Sequence, residues 1–140
     1  MPPLRILIAD GSLEFLTACH RFIGSLPDVR VVAAATDGYL ALHHCEHTQP
    51  DVVVLDAFID GLDGFQTSHR LKSRPHPPFI VMTSLHDYAT YRVVAQTAGA
   101  DAYVPKAELF VRLPALFAVL RASGVAPDRS PGTPATTAAR

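Results

Sequence analysis

The sequence feature that most constrains the fold is a short, uninterrupted apolar run, Val52-Val53-Val54-Leu55, which ends in Asp56. A β-branched run of this length is typical of a central parallel strand that is buried on both faces, and it is too short for a globular helix. Asp60-Gly61 and Asp63-Gly64 follow and indicate a loop. Because reactive groups collect beyond the carboxyl ends of strands in an open α/β sheet, Asp56 is either a functional acid or a residue that merely starts a turn.

Length and charge limit the classes of protein that this chain can be. Its 140 residues suit one domain with a core of its own. The formal net charge of −1 gives no basic surface that would indicate direct DNA binding. The N-terminus lacks the apolar region of a signal peptide, and no apolar run approaches the roughly 18 residues of a membrane span. We therefore expect a soluble cytoplasmic protein.

Apolar runs alternate with helical patterns along the first 122 residues. Strands are expected at residues 4–9, 29–35, 52–55, 79–83 and 102–104, each followed by a helix. The fourth helix is expected to begin at His86-Asp87 and to be capped by Gly99. Pro114 is expected in the first turn of a final helix that ends near Ala122. Residues 123–140 are rich in Pro, Ala and Thr, so we interpret them as a disordered tail or linker.

This alternation predicts a parallel sheet with right-handed crossovers and helices on both faces. Four polar residues, Asp10, Asp56, Thr83 and Lys106, fall at or just after the ends of the first, third, fourth and fifth strands. Because the carboxyl ends of parallel strands share one edge of the sheet, these residues are expected to form a common site.

The motifs that surround these residues resemble the receiver domain of two-component response regulators, a family that includes the single-domain chemotaxis regulator. The resemblance covers roughly residues 4 to 122, and its motifs are LRILIAD, DVVVLD with a D-G-x-D-G-F loop, IVMTS and AGADAYVPK. It implies a flavodoxin-like, doubly wound (βα)5 fold with a five-stranded parallel sheet in the order 2-1-3-4-5.

The resemblance also implies a phosphorelay function. Asp56 would accept a phosphoryl group from a sensor histidine kinase or a histidine phosphotransfer protein, which requires a metal ion and fixed donors around the phosphoryl oxygens. By the family pattern Mg²⁺ would be held by Asp10, Asp56 and the backbone carbonyl of Phe58. Lys106 would pair with the phosphate and Thr83 would donate its hydroxyl, although Ser84 could compete for that role.

One departure from the family concerns the metal. Most receivers carry two adjacent acids after the first strand, whereas this chain has Asp10 followed by Gly11. We expect weakened Mg²⁺ binding that Gly11→Asp would strengthen, and Glu14 could partly compensate if it points back from the first helical turn. The alternative is a degenerate receiver that works as a phosphorylation-independent interaction module.

A second departure concerns the lifetime of an acyl phosphate. The positions two residues after Asp56 and two after Thr83 flank the approach of water in the family, and here they are Phe58 and Leu85. Both are bulky and apolar, so we expect slow hydrolysis.

The resemblance implies output by docking rather than catalysis on a separate substrate. Tyr103 matches the family's switch aromatic, and the output surface would be the face of the fourth helix, fifth strand and fifth helix, through which a homodimer could also form. The output protein is unknown, and the chain is either a stand-alone receiver or a piece of a longer regulator. A flavodoxin-like or phosphatase-type enzyme is disfavoured because the sequence has no phosphate-cradling glycine loop and no second candidate nucleophile.

Overall fold

Strands and helices alternate along the chain in the computed structural model, which describes residues 2–124. In chain order the elements are β1 (Leu4–Ala9), α1 (Leu13–Gly24), β2 (Val29–Ala35), α2 (Gly38–Thr48), β3 (Val52–Asp56), α3 (Gly64–Lys72), β4 (Phe79–Ser84), α4 (Ala89–Thr97), β5 (Ala102–Pro105) and α5 (Lys106–Ser123). The strands form one five-stranded parallel sheet in the order β2-β1-β3-β4-β5. This confirms the expected fold and strand order.

Alternate side chains of the inner strands enter two separate cores, one on each face of the sheet. Burial on both faces explains why β1 and β3 read as continuous apolar runs rather than as alternating ones. The core beneath α1 and α5 includes Ile6, Ile8, Val52, Val54, Cys19, Ile23, Leu109, Leu113 and Phe117. The core beneath α2, α3 and α4 includes Leu7, Val53, Leu55, Ala41, Cys45, Leu71 and Ala95.

Three helices begin with a capping side chain directly after a strand or loop. Ser12, Asp37 and Asp63 each accept a hydrogen bond from a backbone N–H in the first turn of α1, α2 and α3. Each cap satisfies a donor that the helix cannot pair internally. The caps therefore fix where the loops end, and these loops lie at the carboxyl edge of the sheet.

The start of α4 differs from the sequence prediction. The helix begins at Ala89 rather than at His86-Asp87, with Tyr88 extended at the position before it. The Asp87 carboxylate pairs with Arg92 at 2.6 Å, and the Ser84 hydroxyl donates to the His86 carbonyl at 2.5 Å. These contacts hold the preceding residues outside the helix. At the other end Gly99 has a φ of +89°, which confirms its predicted left-handed conformation.

The prediction for Pro114 was wrong. The residue lies inside α5, which begins at Lys106 directly after β5 and continues to Ser123. A proline in a helix interior removes one backbone hydrogen bond. Burial of the apolar stripe formed by Leu109, Leu113 and Phe117 offsets that loss, so the helix continues through the proline.

Two further expectations concern the chain's ends and its surroundings. The predicted disordered tail lies outside the described residues, apart from Ser123 and Gly124, which end and cap α5. Within residues 2–124, no helix combines the length and the apolar character that crossing a membrane requires.

Gly64 provides a test of how tightly α3 is packed beneath the acidic loop. A Cβ at this position would overlap the carbonyl oxygen of Asp56 and would lie 2.7 Å from the Cα of Ala57. We expect Gly64→Ala to lower the free energy of unfolding by about 2 kcal/mol, as is typical of overpacking. Urea denaturation measures this change.

Gly24 supplies the matched control for that substitution. It is the last residue of α1, and nothing lies within 4 Å of the position that its Cβ would take. Gly24→Ala should leave the unfolding free energy unchanged or raise it by up to about 1 kcal/mol. Equal losses in the two variants would show that Gly64 is not required for close packing.

Candidate functional site

Four strand ends bring polar side chains to one edge of the sheet. Asp10 follows β1, Asp56 ends β3, Thr83 lies near the end of β4 and Lys106 follows β5. Thr83 is the register partner of Asp56 in the β3–β4 pair, so the two side chains are neighbours on the same side of the sheet. The structure thus places the predicted residues together.

Lys106 joins the two acids. Its Nζ lies 2.5 Å from Oδ2 of Asp10 and 3.8 Å from Oδ1 of Asp56. Asp10 is only 3% exposed, and its Oδ1 accepts a hydrogen bond from the backbone N–H of Ser12 at 2.8 Å. A buried charge without a partner is costly. The positive charge of Lys106 offsets the cost of burying these two carboxylates.

The backbone around Asp56 holds it at the mouth of the site. Ala57 donates its N–H to the carbonyl of Thr83 at 2.8 Å, which extends the β3–β4 pairing by one residue. Gly64 donates its N–H to the Ala57 carbonyl at 2.9 Å, and the Phe58 N–H bonds to the Asp56 carboxylate. The acid is therefore fixed between a strand and the start of a helix.

Partial burial raises the pKa of the Asp56 carboxyl above its ordinary value of 3.8. Desolvation is the largest cause, and the negative charge of Asp10 adds to it. The Lys106 ammonium and the Phe58 N–H act in the opposite direction. The carboxylate is thus stabilised less by its surroundings than it would be by water.

Thr83 and Ser84 occupy different hydrogen-bonding environments. The Thr83 side chain is 1% exposed, and its hydroxyl has no hydrogen-bond partner within the described residues. The Ser84 hydroxyl lies 2.5 Å from the Tyr103 hydroxyl and also donates to the His86 carbonyl. An unpaired buried hydroxyl costs roughly 1–3 kcal/mol, so Thr83 is the residue with a donor to offer. Ser84 is already engaged.

Tyr103 points into the protein. It is 8% exposed, and its hydroxyl donates to the His86 carbonyl at 2.8 Å. The guanidinium of Arg92, from α4, lies 5.0 Å from the centre of its ring. Tyr103 is therefore linked to both the β4–α4 segment and α4 itself.

The donor set of the site suits a hard divalent cation. Asp10 and Asp56 supply carboxylate oxygens at neighbouring strand ends, both within reach of Lys106. Oxygen ligands with several retained waters are what Mg²⁺ prefers. Across residues 2–124, no three Asp, Glu, His or Cys side chains converge into a group that could hold a metal. Protein oxygens and water would therefore have to share the coordination.

The Phe58 side chain forms a contact that was not anticipated. It is 52% exposed, yet its ring packs edge-on against Tyr91 of α4 at 4.8 Å and against Phe65 of α3 at 5.7 Å between centroids. Such pairs typically add 0.5–1.5 kcal/mol each. The ring of Phe58 is thus held between two helices beside the acid.

Sequence reasoning also missed Phe15. Its ring centre lies 4.4 Å from the Lys106 ammonium, and it stacks with Phe110 of α5 at 6.2 Å. A cation over an aromatic face is attracted to it, more strongly where water is excluded. The helical spacing of α1 marks Phe15 as an ordinary core residue, and no sequence signal pairs it with a lysine 91 positions away.

The two cysteines are not candidate nucleophiles. Both are free and buried, and burial raises the pKa of Cys19 and of Cys45 to about 12. A thiol with this pKa holds almost no thiolate at neutral pH. Neither cysteine therefore offers a reactive thiolate.

Comparisons with known proteins agree on one family of signalling domains. A family model for the response regulator receiver domain matches residues 6–117. The response regulator MprA of Mycobacterium sp. (strain KMS) is 34% identical over 139 residues, which are 96% of this chain and 57% of that protein. A protein-glutamate methylesterase/protein-glutamine glutaminase of Nitrobacter winogradskyi is 32% identical over 110 residues, 77% of this chain and 26% of that protein.

The fold comparison agrees with the sequence comparison. The solved signal receiver domain of the response regulator NarL from Mycobacterium tuberculosis matches with a TM-score of 0.80 and 27% identity, covering 89% of this chain and 98% of that one. This chain therefore spans an entire solved receiver domain. It spans little more than half of the MprA protein and about a quarter of the methylesterase, at 57% and 26%.

The raised pKa of Asp56 predicts a pH-dependent change in stability. Because the folded state binds this proton more tightly than the unfolded state, ionisation destabilises the fold as the pH rises through the raised pKa. Asp56→Asn should therefore melt higher than the wild type at pH 7, by roughly 2–4 °C, or about 1 kcal/mol for a domain of this size. The gain should shrink as the pH falls toward 4.

Thermal melts between pH 4 and pH 8 measure this difference. Asp63→Asn removes a carboxylate from the same loop and keeps a side chain that can cap α3, so it serves as the control. A melting-temperature difference for Asp56→Asn that does not depend on pH would contradict the prediction.

Proposed function

The chain belongs to the response regulator receiver domain family, and on this premise we propose that Asp56 accepts a phosphoryl group from a histidine kinase or a histidine phosphotransfer protein. The family works in two-component signalling. The single observation that carries the proposal is the Thr83 hydroxyl, which is buried without a partner beside Asp56. A phosphoryl oxygen on Asp56 would supply the missing acceptor.

The proposed reaction is a transfer between a phosphohistidine and a carboxylate. An Asp56 oxygen attacks phosphorus in line, the new P–O bond forms, and the P–N bond breaks with its electron pair left on the histidine nitrogen. Lys106 and the Thr83 hydroxyl would stabilise charge on the phosphoryl oxygens.

Mg²⁺ is the proposed cofactor. When bound, it would neutralise negative charge on the phosphoryl oxygens. Asp10, Asp56 and the carbonyl of Phe58 are the groups that would hold it, and the two carboxylates suit its preference for oxygen. Because Gly11 contributes no acid, we propose weak binding.

Tyr103 is the proposed switch residue. Its hydroxyl is bonded to the β4–α4 segment, and Thr83 is only one residue from Ser84, its other partner. Movement of Thr83 toward a phosphoryl group would disturb this arrangement and bias α4 between two positions. The proposed output surface is the face formed by α4, β5 and α5, which would bind an unidentified output protein or a second copy of the chain.

The remaining proposals concern the setting of this domain. We propose a cytoplasmic signalling role in which the domain assists its own phosphorylation and is not an enzyme for a separate substrate. The methylesterase activity in one relative's name belongs to that protein, of which this chain covers 26%. With a net charge of −1, direct DNA binding by this domain is not part of the proposal.

Incubation with a small-molecule phosphodonor and Mg²⁺ tests the phosphorylation. Intact-mass measurement should show one added phosphoryl group on the wild type and none on Asp56→Asn. Thr83→Ala should be phosphorylated roughly tenfold more slowly, since one oxyanion donor is lost, and Thr83→Ser should retain most of the rate.

Beryllofluoride, an acyl phosphate mimic, supplies a second measurement. Amide chemical shifts of α4 and β5 should change when it binds the wild type. Unchanged shifts, together with no phosphoprotein at saturating Mg²⁺, would contradict the proposal and would leave a phosphorylation-independent binding module.

The position of Phe58 predicts a long-lived acyl phosphate. Hydrolysis needs a water in line with the phosphorus, and the ring of Phe58 is held beside Asp56 by Tyr91 and Phe65. We expect Phe58→Asn to speed dephosphorylation about tenfold, which corresponds to about 1.4 kcal/mol in the barrier.

A dephosphorylation time course measures this effect. Val93→Asn is the matched control, since Val93 is also an exposed apolar side chain, at 61%, but lies on α4. If Phe58→Asn decays no faster than the wild type or the control, the ring does not limit the approach of water.

A further inference from the structure

We infer that Asp60 replaces the acid that is missing at Gly11 and holds the divalent cation of the Asp56 site through a metal-bound water. This inference rests on the proposed function and assigns a metal-positioning role to a residue of the β3–α3 loop. It implies that the acid absent at position 11 is supplied by position 60 instead.

The geometry around Gly11 carries the inference. An ideal Cβ on Gly11 would lie 3.7 Å from Oδ2 of Asp60 and 3.8 Å from the carbonyl oxygen of Thr36. No atom of Glu14 lies within 4 Å of that position, so the compensating acid expected in the first turn of α1 is not the one found there. The carboxylate that borders the empty side-chain position belongs to Asp60.

The loop holds Asp60 in this place by its backbone and leaves its side chain unused. Its carbonyl accepts the Gly38 N–H at 3.0 Å, and Asp37 and Asp60 form an isolated parallel bridge. Gly61, with a φ of +76°, makes the turn that follows. Within residues 2–124 the Asp60 carboxylate has no hydrogen bond or ion pair, whereas the carboxylates of Asp37 and Asp63 both cap helices.

A neighbouring group indicates that this edge of the sheet receives a ligand. The Thr83 hydroxyl, 1% exposed, has no hydrogen-bond partner within the described residues. Buried polar groups are normally paired, so an absent partner is expected at Thr83. Asp10, which precedes Gly11, adds a buried carboxylate to the same edge, where it is paired with Lys106.

Contact through water is the mode that suits an exposed carboxylate at the rim of the site. No three acidic side chains in the described residues converge as direct metal ligands, and Asp60 itself is exposed at the rim. Mg²⁺ retains several waters in protein sites, and a carboxylate that accepts a hydrogen bond from such a water still adds affinity. The position of Asp60 at the rim is compatible with that role.

Magnesium titration of the full chain tests the inference, with amide chemical shifts as the readout. Asp60→Asn should weaken Mg²⁺ binding roughly tenfold, as is typical when a partner of a metal ligand is removed. Asp63→Asn removes the same charge from the same loop and should change the affinity less than about twofold. The Asp63 carboxylate caps α3, and salt screens the effect of an exposed charge at a distance.

Gly11→Asp provides a rescue. The backbone of Gly11 is not left-handed, and its Cβ would make only ordinary contacts, so an aspartate can be accommodated. In the Gly11→Asp background, Asp60→Asn should lose much less than tenfold, because the acid at position 11 then supplies the missing charge. A merely structural role of Asp60 would give the same loss in both backgrounds.

The outcomes separate this inference from the proposed function. If the wild type binds Mg²⁺ and accepts a phosphoryl group but Asp60→Asn binds equally well, the inference is overturned and the function stands. If the wild type shows no Mg²⁺-dependent shifts, the inference is also overturned, and phosphodonor labelling of the same samples then decides the proposed function independently. Spectra of each variant without metal confirm that it is folded.

Discussion

The carboxylates of Asp10 and Asp56 share the ammonium group of Lys106 at the carboxyl edge of the sheet. The ends of β1, β3 and β5 bring these three side chains together. Lys106 lies against Asp10 at 2.5 Å and near Asp56 at 3.8 Å, with little exposure of any of the three side chains. One cation against two anions leaves an excess negative charge. A divalent cation fits this excess.

The hydroxyl groups of β4 and β5 at the same edge differ in whether they are hydrogen-bonded. Thr83 is unpaired, whereas the Ser84 and Tyr103 hydroxyls both donate to the His86 carbonyl and lie against each other. A ligand that engaged Thr83 would recover the cost of its burial, on the order of 1–3 kcal/mol, and would disturb its neighbours. Free energies of that size are sufficient to shift a two-state equilibrium substantially, which suits the proposed switch.

The strand–helix alternation and the Gly99 cap were predictable because they depend on local patterns. A run such as Val52–Leu55 indicates burial on both faces, and Gly99 indicates where α4 ends. The predictions that failed depended on distant contacts. The segment before α4 is held by the Tyr103 hydroxyl of β5, which donates to the His86 carbonyl, and Pro114 remains helical because the stripe around it packs beneath the sheet.

The sequence by itself determined which polar residues end the strands. Each of these residues lies at or just after a short apolar run, and such a run can be recognised from a few neighbouring positions. Only the tertiary structure decided how those residues pair. Lys106 lies closest to Asp10 and rests on Phe15, and the carboxylate beside Gly11 comes from Asp60. The physical reason is that these contacts join separate elements, whose distances follow from how helices pack on the sheet rather than from local spacing.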